Sequence, residues 1–168
     1  RGVPMAVVFC LRPDFLDATL RSYDFLLGGL ETTCATLHAD NIPLLVQSGD
    51  PEVEIVRVCT AVRPGLVVTD FDPLRIKRQW LRALVTARLA PVHEVDARNV
   101  VPCRIASDHR EFSARTLRPK IHRLLEGFCT PFPTLPPHSH PWPEPVDPPN
   151  FSALRAGLRV DTRVPPVD

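Results

Sequence analysis

The segment VVTDFDPLRIKRQW, residues 67–80, passes from an apolar run to an acidic corner and then to a strongly basic stretch. The apolar run predicts a strand buried on both faces. Asp72 followed by Pro73 is typical of a helix start, because an N-cap aspartate accepts free amide hydrogens and proline suits the first helical position. The same order recurs at residues 49–52, Gly-Asp-Pro-Glu. Strand, corner and helix in succession indicate an α/β protein.

Four short apolar runs predict strands, and helical patterns separate them. The predicted strands cover residues 5–11, 42–48, 65–71 and 91–97. The longest helical pattern covers residues 14–39, where Gly28 and Gly29 indicate close packing or a local bend. Strands that alternate with helices predict a doubly wound, mostly parallel sheet with right-handed crossovers.

Composition limits the classes of protein to which the chain can belong. Its 168 residues carry a formal net charge of +1, so binding to nucleic acid or to a membrane surface would have to be local. Nothing approaches the roughly 20 apolar residues that a membrane span requires. The five cysteines lack the spacing of a zinc site and predict reduced, mostly buried thiols. We therefore expect an intracellular protein, with nucleus, cytoplasm and organelle all open.

Proline density divides the chain into two predicted regions. Residues 1–127 are expected to form the α/β domain, and residues 128–168 a proline-rich linker or arm. Nine of the 20 prolines fall between residues 129 and 150, where they exclude regular helix and central strand. Pro165 and Pro166 follow near the end. Phe132, Trp142 and Phe151 are candidate anchors for an arm laid over the domain.

The carboxyl ends of the predicted strands carry the candidate ligand pocket. Open parallel sheets bind ligands at this edge, and here it presents Gln47, Gly49, Asp70 and Phe71. The neighbouring Asp50 and Asp72 are equally well explained as helix caps. No glycine-rich phosphate loop is present. No nucleophile stands with a base, so no catalytic residue is predicted, and His138 and His140 lack the further ligands that a metal needs.

Two groups of arginines are candidate partner-binding residues, together with Trp142. Arg75, Arg78 and Arg82 share one side of the helix after the acidic corner. Arg115 and Arg118 share a face of a later helix, which Pro119 is expected to break or kink. Such groups bind phosphates, carboxylates or an acidic protein face, but they also occur as plain solvated surface. Because the net charge is near zero, a free-standing nucleic-acid-binding module is the least favoured class.

Six stretches of sequence occur together in the order and spacing of one family: VVFCL, YDFLLGGLE, LLVQSGDP, LVVTDFDPLRIKRQW and, above all, EVDARNVVPC and SARTLRPKI. With them the chain resembles the N-terminal α/β domain of class II cyclobutane pyrimidine dimer photolyases, in the photolyase/cryptochrome family. The resemblance covers about residues 3–125, and the closing GLRVDTRVPPVD resembles the connector to the next domain. Arg104 departs from it, since family members commonly have tryptophan or another apolar residue there, and Gly28 replaces a usual basic residue.

The resemblance implies a light-driven enzyme that splits pyrimidine dimers with FAD. In the family, the FAD and lesion pockets belong to a C-terminal helical domain, which lies outside these residues. The α/β domain packs against it and in some members holds a deazaflavin or folate antenna. We therefore expect no cofactor in this chain alone, and FAD with or without an antenna in a full-length protein. Damaged DNA is likewise an expected partner of the full-length protein only.

The family's domain also begins with a central strand upstream of residue 5, so the resemblance implies two unpaired sheet edges here. Two hypotheses follow. The chain is the α/β domain of a class II-like photolyase, with the helical FAD domain as its partner. Alternatively, it is a photolyase-derived, non-catalytic structural subunit whose partners are neighbouring chains.

Overall fold

The computed structural model describes residues 2–164 and contains four strands and six helices in that part of the chain. Arg1 and residues 165–168, which include Pro165, Pro166 and the end of the connector-like motif, lie outside the described residues. The strands are β1 (Val7–Leu11), β2 (Leu44–Ser48), β3 (Val67–Asp70) and β4 (Val92–Val95). The helices are α1 (Leu20–Ala39), α2 (Pro51–Val62), α3 (Arg75–Ala87), α4 (Cys103–Ala106), α5 (Ala114–Phe128) and α6 (Phe151–Ala156).

The chain divides into two compact units, each with its own pair of parallel strands. The first unit contains Arg1–Val58 and Leu135–Asp168, and the second contains Cys59–Thr134. In the first unit β1 pairs with β2, with Val7 opposite Leu44. In the second unit β3 pairs with β4, with Val67 opposite Val92. The predicted α/β class and the parallel pairing of the strands are confirmed.

The core of the first unit is built where β1 meets α1. Leu11, Tyr23 and Leu27 are its buried members. The Tyr23 hydroxyl donates a hydrogen bond to the Arg12 carbonyl and accepts one from the Phe15 amide at 2.7 Å. Because these bonds satisfy the polar end of a buried aromatic ring, Tyr23 ties the loop after β1 to the helix.

The C-terminal part of the first unit packs on the same core. Asn150 caps α6, since its side-chain oxygen accepts a hydrogen bond from the Ala153 amide at 2.9 Å. Helix α6 packs on α1, and Phe151 and Leu154 lie against the buried cluster. Phe151 is therefore an anchor, as predicted. Phe132 is 99% exposed, so its prediction as an anchor is wrong.

His138 connects the proline-rich stretch to the rest of the first unit. Its amide donates to the Asp40 carbonyl at 2.8 Å, and its ring Nε2 lies 2.8 Å from the Val3 carbonyl oxygen. Asn41 donates from its side-chain amide to the His138 carbonyl at 3.2 Å. These bonds give His138 a structural role. No group of three or more potential metal ligands occurs within residues 2–164.

The close packing expected at Gly28 and Gly29 and the helix break expected at Pro119 are wrong, whereas a bend in α1 or a kink in α5 stays a prediction. Gly28 and Gly29 lie inside the continuous α1, and no atom of another element comes within 4 Å of where a Cβ would be, so they do not permit close packing. Pro119 does not break α5, which runs through it. The proline lies in the second turn, where it removes only the backbone bond to the carbonyl four residues earlier.

The two Asp-Pro corners differ. Helix α2 begins at Pro51, so the helix start predicted at Asp50 is confirmed; the amides of Val53 and Glu54 donate to the backbone carbonyl of Asp50, and its carboxylate pairs with Arg12 at 3.2 Å. Helix α3 begins only at Arg75, so the N-cap prediction for Asp72 is wrong. The Asp72 carboxylate is buried and instead accepts a hydrogen bond from the Leu74 amide at 2.9 Å, which closes a turn before the helix.

The five cysteines are all free thiols, and Cys59 alone is buried. Cys10 and Cys34 are half-buried, and Cys103 and Cys129 are exposed. The expectation that most of the thiols are buried is therefore wrong. Among the helices of the described residues, none combines the length and the apolar character needed to cross a bilayer.

Candidate functional site

The predicted ligand residues of the first unit belong to a structural network. Gly49 has a φ of +150°, and a Cβ there would come within 3.0 Å of the Glu54 side chain. Glu54 holds Arg57 through a hydrogen bond of 2.9 Å to its Nε, and Arg57 also donates to the Gln47 side-chain oxygen. Gln47 and Gly49 thus take part in the turn from β2 to α2, where glycine is required by conformation and by space.

Asp70 and Phe71, the predicted ligand residues of the second unit, lie at the end of β3: Asp70 is its last residue and Phe71 follows it. Asp70 is exposed, and Phe71 donates its amide to the Val95 carbonyl at 2.8 Å, which extends the pairing with β4. The Arg104 guanidinium lies 5.3 Å from the centre of the Phe71 ring and binds the Glu94 carboxylate at 3.0 Å. Arg104 therefore has both an aromatic and an acidic partner.

Asp72 and Arg98 form an ion pair that sequence reasoning missed. The Arg98 guanidinium lies 2.7 Å from the second Asp72 oxygen, while the first oxygen binds the Leu74 amide. Asp72 is 6% exposed and Arg98 has a half-exposed side chain. The two residues are 26 positions apart, so no local pattern could indicate the contact.

Asp96, at the end of β4, has a capping role. Its carboxylate accepts from the Cys103 amide at 2.8 Å and from the Asn99 side chain at 2.8 Å. The bond from the Cys103 amide, with help from Asn99, lowers the pKa of Asp96. Partial desolvation of this otherwise exposed side chain, together with the nearby Asp96, raises the pKa of the Cys103 thiol, which disfavours the reactive thiolate.

Glu111 is the centre of a second polar network, next to a cavity. The Lys120 ammonium binds Glu111, the Ser107 hydroxyl donates to it at 2.9 Å, and Lys120 also donates to Ser107 at 3.0 Å. These bonds lower the pKa of Glu111 from 4.5 to about 2, and the bond from Lys120 has the largest effect. The adjacent cavity of about 400 Å³ is lined by Arg104, Ile105, Ala106, Ser107, Asp108, Lys120, Arg123 and Leu124.

The lowered pKa of Glu111 predicts a loss of stability in acid. A carboxylate whose pKa falls on folding stabilises the protein above its unfolded value of 4.5, and that contribution disappears as the pH falls toward 2. We expect Glu111→Gln to be less stable than the wild type at about pH 5.5 and to lose less stability between about pH 5.5 and 3. Urea unfolding at both pH values measures this difference.

Glu126→Gln is the matched control, because Glu126 is an exposed carboxylate on the same helix, α5. Its pH dependence should follow that of the wild type. A wild-type pH dependence in Glu111→Gln would show that the network around Lys120 does not stabilise the folded state.

The predicted partner-binding arginines of α3 lie on its exposed face. Arg75, Arg78 and Arg82 are exposed, whereas Leu84, on the opposite side, is buried. Within residues 2–164 these three arginines have no hydrogen bond or ion pair with a side chain. Arg115 and Arg118 on α5 are exposed as well, and Trp142 is half-buried in the first unit. Partner binding by all six residues stays a prediction.

Comparison with known sequences decides the family. The profile of the DNA photolyase family matches residues 1–138, which is most of the chain. The chain belongs to the DNA photolyase family. This confirms the resemblance carried by words such as EVDARNVVPC and SARTLRPKI.

Several members of the DNA photolyase family named deoxyribodipyrimidine photo-lyase align with most of the chain. The protein of Potorous tridactylus is 40% identical over 96% of the chain. That of Arabidopsis thaliana is 40% identical over 84%, and that of Methanothermobacter thermautotrophicus is 35% identical over 76%. The chain spans only about a third of the length of these relatives, 31%, 29% and 28% respectively.

The cavity of the second unit lacks the features that FAD, the cofactor of the family's complete enzymes, would need. Its lining contains no aromatic residue to stack on the flavin ring. Two of its three cations, Arg104 and Lys120, already bind Glu94 and Glu111. The lining therefore does not fit FAD, and no step of a reaction is assigned to these residues.

Proposed function

We propose that this chain is the α/β domain of a class II-like DNA photolyase. In the complete protein it supports FAD-dependent, light-driven repair of cyclobutane pyrimidine dimers, and the chemistry takes place in a helical domain outside these residues. The chain itself supplies no catalytic residue. The observation that carries the proposal is the alignment of nearly the whole chain, at 40% identity, with about one third of a deoxyribodipyrimidine photo-lyase.

The polar groups of the chain also support a structural task within such an enzyme. The residues at the strand ends bind other side chains or cap turns, as Gln47 does with Arg57 and Asp96 does with Cys103. Groups engaged in this way build a rigid scaffold and are poorly placed for proton transfer. We infer that the domain's contribution is to fold as a platform against the helical FAD domain.

The test uses the polypeptide that carries this sequence, isolated from its source. Denaturing mass spectrometry should give a mass well above 18.8 kDa, the mass of these residues. The native protein should show the absorption of a bound flavin. Under near-ultraviolet or blue light it should convert dimer-containing oligonucleotide to intact pyrimidines, and in the dark it should not.

Two results would contradict the proposal. A flavin-bearing protein without light-dependent repair would show that repair is not the function of this family member. A polypeptide of about 18.8 kDa without flavin would favour the other hypothesis, a non-catalytic subunit in a larger assembly, and its neighbours could then be identified by cross-linking.

A further inference from the structure

Formal charge is divided unevenly between the two units, although the whole chain carries only +1. The second unit, Cys59–Thr134, contains thirteen Lys and Arg residues against seven Asp and Glu, a net charge of +6. The rest of the chain contains seven against twelve, a net charge of −5. A basic patch within one unit is the electrostatic mark of a surface that binds polyanions. The net charge of the whole chain is near zero because the acidic residues of the first unit offset the positive charge of the second unit.

Helix α3 carries the part of this positive charge that has the fewest acidic residues near it in the sequence. No acidic residue occurs between Asp72 and Glu94 in the sequence. Three other cations of the unit bind carboxylates: Arg98 binds Asp72, Arg104 binds Glu94 and Lys120 binds Glu111. The exposed arginines of α3 have no such partner among the described residues. Their guanidinium groups therefore remain available to an external anion.

The spacing of the three arginines suits a row of phosphates. Arg75, Arg78 and Arg82 fall on one side of the helix and extend over about 10 Å of its axis. One strand of duplex DNA carries a phosphate about every 3.4 Å along its axis, so this length matches about three nucleotides. Guanidinium groups bind phosphate oxygens in pairs, with two parallel hydrogen bonds.

We propose that the α3 arginine face, defined as Arg75, Arg78 and Arg82, binds the phosphate backbone of duplex DNA irrespective of base sequence and of damage. The choice of DNA as the polyanion rests on the proposed function. This contact adds to lesion recognition by the rest of the protein. It holds undamaged duplex beside the enzyme and takes no part in the photochemistry.

An acidic protein surface fits this face less well. Stable protein interfaces have an apolar centre with a charged rim. Besides the arginines, the exposed residues of α3 are Gln79, Val85 and Thr86, so a single apolar side chain is present. Contacts with a phosphate backbone need no apolar centre, because they depend on cations and on the release of counterions.

The test compares the complete protein with Arg75→Gln/Arg78→Gln/Arg82→Gln, using a lesion-free duplex as the probe. Three phosphate contacts contribute about 2.7 to the slope of log K against log salt. We expect the triple glutamine variant to bind roughly tenfold or more weakly at about 100 mM salt, with a slope shallower by about that amount. Fluorescence anisotropy between about 50 and 200 mM salt gives both quantities.

Two controls separate this surface from general effects of charge. The triple lysine variant keeps the charge and should therefore keep the wild-type slope, while binding more weakly than the wild type and more tightly than the triple glutamine variant, because lysine lacks the paired hydrogen bonds. Arg159→Gln removes one exposed cation from the acidic first unit and should leave the binding of lesion-free duplex unchanged. Thermal unfolding of the two triple variants should match that of the wild type, because the three arginines of α3 have no hydrogen bond or ion pair with a described side chain. That of Arg159→Gln should lie close to it, because the exposed Arg159 only approaches Asp14 at 3.9 Å.

Wild-type affinity and slope in the triple glutamine variant would overturn the inference. So would a triple glutamine variant that binds DNA normally but no longer binds an acidic protein or a second copy of the chain. Light-dependent repair at saturating DNA tests the proposed function separately. Absent repair with the difference in duplex binding preserved would refute only the proposed function. Intact repair with unchanged duplex binding would refute only the α3 contact.

Discussion

Replacing Leu27 by alanine is expected to lower the free energy of unfolding of the first unit by about 3 kcal/mol. Leu27 is 1% exposed and packs with Leu11 and Tyr23 at the centre of the cluster between β1 and α1. Alanine loses the apolar area that leucine buries and leaves a cavity, because Tyr23 is held in place by its own hydrogen bonds. For a chain of this size, such a loss lowers the melting temperature by about 6–12 °C.

Phe25→Ala is the matched control on the same helix. Phe25 lies two residues from Leu27 but is 87% exposed, so its removal should change the free energy of unfolding by about 0.5 kcal/mol or less. Urea unfolding of the two variants and the wild type measures the difference. Equal stability of the two alanine variants would show that the packing around Leu27 does not hold the first unit together.

The strands were predictable from their apolar runs, but the expectation of burial on both faces is wrong for β3 and β4, where Val68 is 60% and Val95 is 47% exposed. Four apolar runs predicted four strands, and each observed strand lies inside the predicted range. All four predicted ranges start one or two residues early, and those of β2 and β4 take in Pro43 and Pro91. Pro43 and Pro91 do not belong to the observed strands, yet their carbonyls accept the first bonds, from Val7 and Val67. A proline can accept but not donate, so it suits the end of a strand.

Helix α6 was not predicted, because the high proline content of residues 129–150 was given more weight than the helix signals that follow them. The density of prolines before residue 150 predicted an extended arm up to the end of the chain. Yet Asn150 is a good N-cap residue, Phe151, Leu154 and Leu158 have helical spacing, and Gly157 follows the last helical residue. Those features were sufficient to predict a short amphipathic helix. The proline-rich residues 129–150 themselves form neither helix nor strand.

The contacts of the candidate site depended on pairings between distant residues. The sequence placed Asp70 and Phe71 at the end of a strand, but it could not show that Arg104 would lie over Phe71 and bind Glu94. Nor could a sum over the whole chain show that the basic charge collects in Cys59–Thr134. Such contacts depend on how the chain folds back on itself, which periodicity and propensity do not encode.

Asp72 was predicted to be an N-cap residue, but its buried carboxylate forms an ion pair instead. Its removal is the second substitution for which we expect a large loss in the free energy of unfolding. Asp72→Ala is expected to lower the free energy of unfolding by about 2–3 kcal/mol, since the carboxylate accepts two hydrogen bonds in a buried position. The loss leaves the Leu74 amide unsatisfied and releases Arg98. An N-cap at the helix terminus, as the sequence predicted, would be worth only about 1 kcal/mol.

Asp72→Asn separates the contributions of the two Asp72 carboxylate oxygens, and Asp70→Ala is the matched control. Asp72→Asn keeps an acceptor for Leu74 but removes the charge beside the half-exposed Arg98, so we expect a loss of only about 1 kcal/mol. Asp70→Ala, at an exposed position two residues away, should change the free energy of unfolding by about 0.5 kcal/mol or less. If Asp72→Ala unfolds at the same urea concentration as Asp70→Ala, the buried pair contributes nothing measurable. The intermediate value expected for the asparagine variant would show that the turn before α3 depends on both the amide bond and the ion pair.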